Sequence, residues 1–174
     1  SLRMEYERLW VQFVDEAQRL AAAHEGRPDT FDAYVTTLLG LLERYTWCVP
    51  SATYRDYPNI PLYDHLKVTA AIAECLYATG AAKRFLFVEG DLGGIQAFLY
   101  ESAAPSQTQE GTAQRLRGKS FFLDLAMRTL AERLRRDLGL SACALLWCSG
   151  GHFTLLAPDT PAAHAGVSVT ATAQ

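Results

Sequence analysis

A chain of 174 residues, 49% of them apolar and 20% charged, is long enough to bury one good core, and its formal net charge of −3 gives no global attraction to nucleic acid. Any such contact has to be local, and Arg115, Arg117 and Lys119 form a basic cluster that suits it. Cys48, Cys75, Cys143 and Cys148 follow no CxxC spacing, which argues for reduced thiols and against a zinc site or a disulfide framework. No apolar run approaches the ~20 residues of a membrane span and no secretory signal is visible, so the expectation is a cytoplasmic protein without a membrane partner.

Leu2, Tyr6, Leu9, Trp10, Phe13, Ala17 and Leu20 recur at helical spacing until His24-Glu25-Gly26-Arg27-Pro28 stops them. Behind an Asp29 or Thr30 cap, Phe31, Tyr34, Val35, Leu38, Leu42 and Tyr45 make a second apolar stripe. Residues 46–61, with Pro50, Pro58 and Pro61 among aromatics, predict an extended, packed connection. A third helix runs from Leu62 to Ala78, with Leu66, Ala70, Ala73 and Tyr77 on one face and Gly80 as its C-cap. Residues 1–80 therefore read as a helical segment.

The second half changes character. Arg84 to Glu89 reads as a strand, Gly94 to Glu101 as a short helix, and Ala103 to Thr112 as a polar loop. A long helix follows, second to the opening one, with a buried face expected from Phe121, Phe122, Leu125, Leu130 and Leu134 and with Arg133, Arg135 and Arg136 at its end before Gly139. Ala142 to Trp147 and Phe153 to Ala157 are the strands of a hairpin. The order predicts an α+β fold, in which a helical N-terminal segment precedes a ferredoxin-like palm with an antiparallel sheet over residues 81–158. A fourth strand is not evident. Residues 159–174, with Pro161 and the alternating Val167-Ser-Val-Thr-Ala-Thr172, are weak as a helix and poor as a strand, and stand as a tail of undefined structure. A sheet edge left open in this way favours self-association.

The chemistry concentrates at two turns. Gly90-Asp91-Leu92-Gly93-Gly94 leaves a carboxylate at a strand end and a helix start whose free N–H groups suit phosphate; Asp91 as a simple helix cap is the plainer alternative. Cys148-Ser149-Gly150-Gly151-His152 joins the two later strands as a Gly-Gly hairpin. A strand ending in Asp followed by such a hairpin is the plan of polymerase and cyclase palms, where carboxylates at both places hold two divalent metals. This hairpin has no carboxylate, so neither metal ligands nor catalytic residues are assigned.

Four segments occur here in one order: Leu62-Tyr-Asp-His-Leu-Lys-Val-Thr-Ala-Ala-Ile-Ala73, Gly90-Asp-Leu-Gly-Gly-Ile-Gln96, Gln114-Arg-Leu-Arg-Gly-Lys-Ser-Phe-Phe122 and Ser149-Gly-Gly-His-Phe153. Over roughly residues 40 to 158 the chain thereby resembles the large polymerase/cyclase subunit of type III-A CRISPR effector complexes. The resemblance implies linker helices and the first of two palms, in a subunit that also carries an HD nuclease domain, a zinc-containing insert and a second palm with a Gly-Gly-Asp-Asp hairpin. That subunit makes cyclic oligoadenylate from ATP with Mg²⁺ or Mn²⁺ when target RNA is bound. The HD pair, the Gly-Gly-Asp-Asp motif and the clustered cysteines are absent from this sequence. The expectation is a fragment contributing half of an ATP site, inactive by itself, with the metal not held here.

Its partners would be the remaining domains of the subunit, other effector subunits, and crRNA and target RNA through the complex. Nucleotide contacts are expected from Gly90, Asp91, Gly93, Gly94, Gln96, Ser149, Gly150, Gly151 and His152, and phosphate or RNA contacts from Arg115, Arg117 and Lys119. The alternative is a degenerate palm that binds proteins as a scaffold and handles no nucleotide.

Overall fold

The computed structural model describes residues 1–51, 57–80, 84–100 and 109–172. They form two units, Ser1–Ala81 with Leu140–Ala144, and Ala82–Gly139 with Leu145–Gln174.

The first unit is helical. Helices α1 (Leu2–His24) and α2 (Phe31–Thr46) form a hairpin through Gly26, whose φ of +70° suits glycine, and a 3₁₀ turn over Pro28–Thr30. The hairpin is tied at its far end, where the Tyr45 hydroxyl donates to Glu16 at 2.7 Å and the Phe13 and Tyr45 rings meet edge to face. That hydrogen bond to a carboxylate, with burial, raises the Tyr45 pKa above its ordinary value. Helix α3 (Leu62–Ala78) enters from the proline-rich connection, which is pinned as an extended pair by Ser51 N–H donating to the Ile60 carbonyl at 2.9 Å and Leu62 N–H to Val49 at 2.7 Å. Residues 52–56 of that connection lie outside the described ones. The segment Leu140–Ala144 belongs to this unit: Ser141 donates its backbone N–H and its hydroxyl to the Glu74 carboxylate, at 2.8 and 2.6 Å, and Cys143 and Ala144 are buried.

The second unit is an antiparallel sheet of β1 (Phe85–Asp91), β2 (Leu145–Ser149) and β3 (His152–Pro158) in the order β1-β3-β2, with α4 (Ile95–Tyr100), α5 (Gln109–Asp137) and α6 (Pro161–Thr172). This is the expected α+β architecture and the strand order of a ferredoxin-like fold; among the described residues no strand pairs with the outer edge of β1. Val88, Phe153, Leu155 and Ala157 bury one face of the sheet, on the side that packs against α5.

Three expectations are corrected. Helix α5, at 29 residues, is longer than the 23-residue α1, and it absorbs positions 109–112 that the polar composition assigned to a loop. Its buried face is Met127, Ala131, Leu134 and Arg135, whereas Phe121, Phe122, Leu125 and Leu130 are exposed. Small Ala131 lets the helix approach the sheet closely, so the bulkier stripe is turned away, and Phe122 meets Phe98 of α4 instead. Arg135 is 2% exposed and is neutralised by Glu132, with Nε and Nη2 both 2.9 Å from Oε2. Finally, the tail is a helix. Thr160 caps α6 by accepting from Ala163 N–H at 3.2 Å, and Pro161 sits at its first position, where its missing N–H costs nothing.

Asp159 holds the junction between β3 and α6. Its carboxylate lies 2.8 Å from both His164 Nε2 and Arg84 Nη2, and the His164 hydrogen bond, ahead of the Arg84 charge, lowers its pKa. A depressed carboxylate stabilises the fold above its unfolded pKa, and that contribution disappears as pH falls through the folded value. Asp159→Asn should therefore lower the midpoint of thermal unfolding by a few degrees at neutral pH, and the gap from the parent chain should start to narrow below the ordinary carboxylate range and vanish as pH falls through the lowered folded value. Melting curves across pH check this; a gap that widens in acid would contradict it.

Candidate functional site

The sheet brings the two Gly-rich turns together. Strand β1 runs to Asp91, Leu92 N–H then donates to the Gly151 carbonyl at 2.9 Å, and Gly94, at φ +75°, turns the chain into α4. Between β2 and β3, Gly150 and Gly151 have φ of +64° and +83°, the mirror-image turn that fits the twist of a two-residue hairpin. The register sets Asp91 opposite His152 and His152 opposite Ser149. The next row on the same face is Glu89, Thr154 and Trp147. From the first row the His152 ring reaches toward the second, with Nδ1 3.9 Å from the Asp91 carboxylate, too far for a hydrogen bond, and Nε2 3.2 Å from the Thr154 hydroxyl.

Of the residues expected at the site, Asp91, Ser149 and His152 share this outward end of the sheet. Asp91 makes no hydrogen bond to the first turn of α4; its carboxylate meets His152, so the capping alternative does not hold. Gly90 and Gly151 serve packing: a Cβ at Gly90 would run into the buried Phe153 ring, and one at Gly151 into Ile95. Gly93, Gly94 and Gly150 are open, with no atom near the place a Cβ would take. Gln96 is exposed on α4. Arg115 and Arg117 are exposed on the early turns of α5. Lys119 is turned inward, donating to the Phe98 carbonyl and lying over the Phe98 ring, so it fixes α4 to α5.

Glu89, Thr154 and Trp147 were not singled out by sequence, because strand alternation alone does not say which face points outward. Cys148 faces the helix side, where burial, ahead of the opposing charge of Arg128, raises its pKa and keeps it a thiol. Among the described residues no three His, Cys, Asp or Glu side chains converge as a metal site. The hairpin itself offers a hydroxyl and an imidazole, and the carboxylates on the same face come from β1. No described helix is long and apolar enough to cross a membrane.

The family model for Csm1 subunit domain B matches residues 84–173, from one residue before β1 through α6. The chain belongs to the Csm1 domain B family. The subtype III-A Cas10/Csm1 single-strand-specific deoxyribonuclease of Mycobacterium tuberculosis is 33% identical over 157 residues, covering 78% of this chain and 19% of that protein. Its counterpart from Thermococcus onnurineus is 35% identical over 136 residues, covering 71% and 17%. The chain thus spans about a fifth of the length of these curated relatives. Crystal structures of Csm1 from T. onnurineus and of a Csm1–Csm4 cassette in complex with cA4 each align with a TM-score of 0.64, at 34% and 33% identity, over 76% of this chain and 19% of those. The Csm1 domain B match includes α6, the element that the sequence pattern hid.

Within this Csm1-type sheet, the contact of Gly151 with Ile95 joins the hairpin to α4. Gly151→Ala should cost ~1–3 kcal/mol, because φ of +83° strains any L side chain and the methyl group meets Ile95. Gly150→Asn, at φ +64° with open space around it, should cost far less. Urea denaturation of the two variants checks the ranking; equal losses would show that Gly151 is not the joining contact.

Proposed function

We propose that the sheet unit contributes one half of an ATP site for cyclic oligoadenylate synthesis in a type III-A CRISPR effector and forms part of that effector's scaffold in antiviral defence. The observation that carries this reading is the register Asp91 opposite His152, extended by the Leu92–Gly151 hydrogen bond. It gathers two Gly-rich segments some sixty residues apart onto one end of the sheet, where Gly93, Gly94 and Gly150 leave the backbone approachable. Support also comes from Csm1–Csm4 cassettes that have been solved with cA4 and with one ATP. In this reading the chain's own residues bind and orient nucleotide. Any Mg²⁺ or Mn²⁺ is assigned in this reading to a facing half. Arg115 and Arg117 are left to contact phosphate or RNA, and other effector subunits and the remaining domains of the larger protein are the partners.

The exposed stripe of Phe121, Phe122, Leu125 and Leu130 on α5 favours a second reading, a palm that serves protein docking alone. Two measurements separate the readings. The chain incubated with ATP and Mg²⁺ or Mn²⁺ should give no oligoadenylate above a heat-killed control. Titration with ATP should nevertheless shift the amides of Gly93, Gly94, Gly150 and Gly151, weakly, as expected of half the contacts. Shifts confined to distant residues would leave the docking reading in place.

A further inference from the structure

A β-bulge decides which way Trp147 points. Leu145 pairs with Leu155 on the side of the sheet that packs against α5, and in a regular ladder Trp147 would follow onto that side, opposite Phe153. Instead the register shifts between Leu145 and Trp147, so that Trp147 pairs with Thr154, Cys148 with Phe153 and Ser149 with His152. The extra residue turns Trp147 and Ser149 to the outward face and leaves Cys148 toward α5. Bulges re-aim side chains in this way and concentrate beside functional sites. Here the outcome is an indole 60% exposed, although a tryptophan buried in the core would contribute more to stability than most residues.

The rows that Trp147 joins have a definite chemistry. Glu89 and Asp91 supply two carboxylates, Thr154 and Ser149 two hydroxyls, and His152 an imidazole, while neither row contains Lys or Arg. Two carboxylates repel a polyphosphate. Ribose hydroxyls, by contrast, can donate to carboxylates, and any base can stack on an indole. We infer that this face takes the nucleoside end of a nucleotide, with the base stacked on Trp147 and the ribose hydroxyls against Glu89 and Asp91, and that the phosphates leave the sheet past the hairpin. This rests on the half-site reading above and gives it an orientation and a base platform.

Amide and indole N–H spectra of the 174-residue chain, titrated separately with ATP, adenosine and inorganic triphosphate, test the inference, with Trp10 and Trp47 of the helical unit as internal controls. ATP and adenosine should move the Trp147 indole resonance with comparable affinity, and triphosphate should leave it still. Trp147→Leu should weaken both nucleoside ligands about tenfold, and Trp147→Phe should retain most of the binding. If ATP moves the amides of Gly93, Gly94, Gly150 and Gly151 while the Trp147 indole stays fixed, the stacking assignment falls and the half-site reading stands. Triphosphate binding at those glycines as tightly as ATP would overturn the proposed orientation. No shift at either set would remove both readings.

Discussion

Phe153 lies across Gly90, and that contact governs the rest of the sheet unit because it admits no side chain on β1 at that point. A slip of one residue would place Glu89 or Asp91 under the ring and send Val88 outward, turning the outward set of β1 into the core. The same register that buries Val88 and Leu155 on one face therefore sets Asp91 beside His152 on the opposite face. Core and site are two faces of one pairing. Their energies are linked, so a substitution at Gly90 cannot be interpreted as a loss of ligand contact until the fold has been shown to survive it.

Some of this was legible in the sequence and some was not. The helices α1 to α3 and the two glycine turns followed from spacing and from Gly and Pro, because those signals are local: period 3.6 for the helices, positive φ for the turns. The buried face of α5 did not follow. Phe121, Phe122 and Leu125 outweigh Ala131 in apolar area, yet packing against a sheet selects for small residues that allow close approach, and the buried Arg135 finds the carboxylate of Glu132 one turn away. Helix α6 had a readable start, Thr160-Pro161, which is an N-cap followed by proline at the first position. The Val-Ser-Val-Thr alternation after it competed for attention, and a short-range alternation carries less weight than a cap with the correct neighbour.

The candidate site shows the same division. Asp91, Ser149 and His152 could be singled out by residue type, but the sequence could not say that Gly90 and Gly151 are spent on packing while Gly93, Gly94 and Gly150 remain open, because that depends on Phe153 and Ile95 brought in by tertiary contact. Nor could it reveal the bulge between Leu145 and Trp147. A bulge is a property of two strands in register, and one strand read alone shows only five residues that are apolar or small.

The electrostatics of the outward face bear on why such a site would be divided between two halves. A nucleotide triphosphate brings three to four negative charges, and Glu89 and Asp91 already occupy the floor with two more. Hydroxyl and base contacts can be satisfied on this floor, because they need acceptors and a flat apolar surface. Phosphate charge cannot. Cations have to come from beyond these rows, and Lys119, the basic residue bound to α4, is already committed to the Phe98 carbonyl. The arrangement separates recognition of the nucleoside, which a polar and aromatic sheet face can perform, from neutralisation of the phosphates, which requires a facing surface of opposite charge. A half that held both would need to bury carboxylates and a polyphosphate against one another, and the desolvation that binding entails would make their repulsion larger than it is in water.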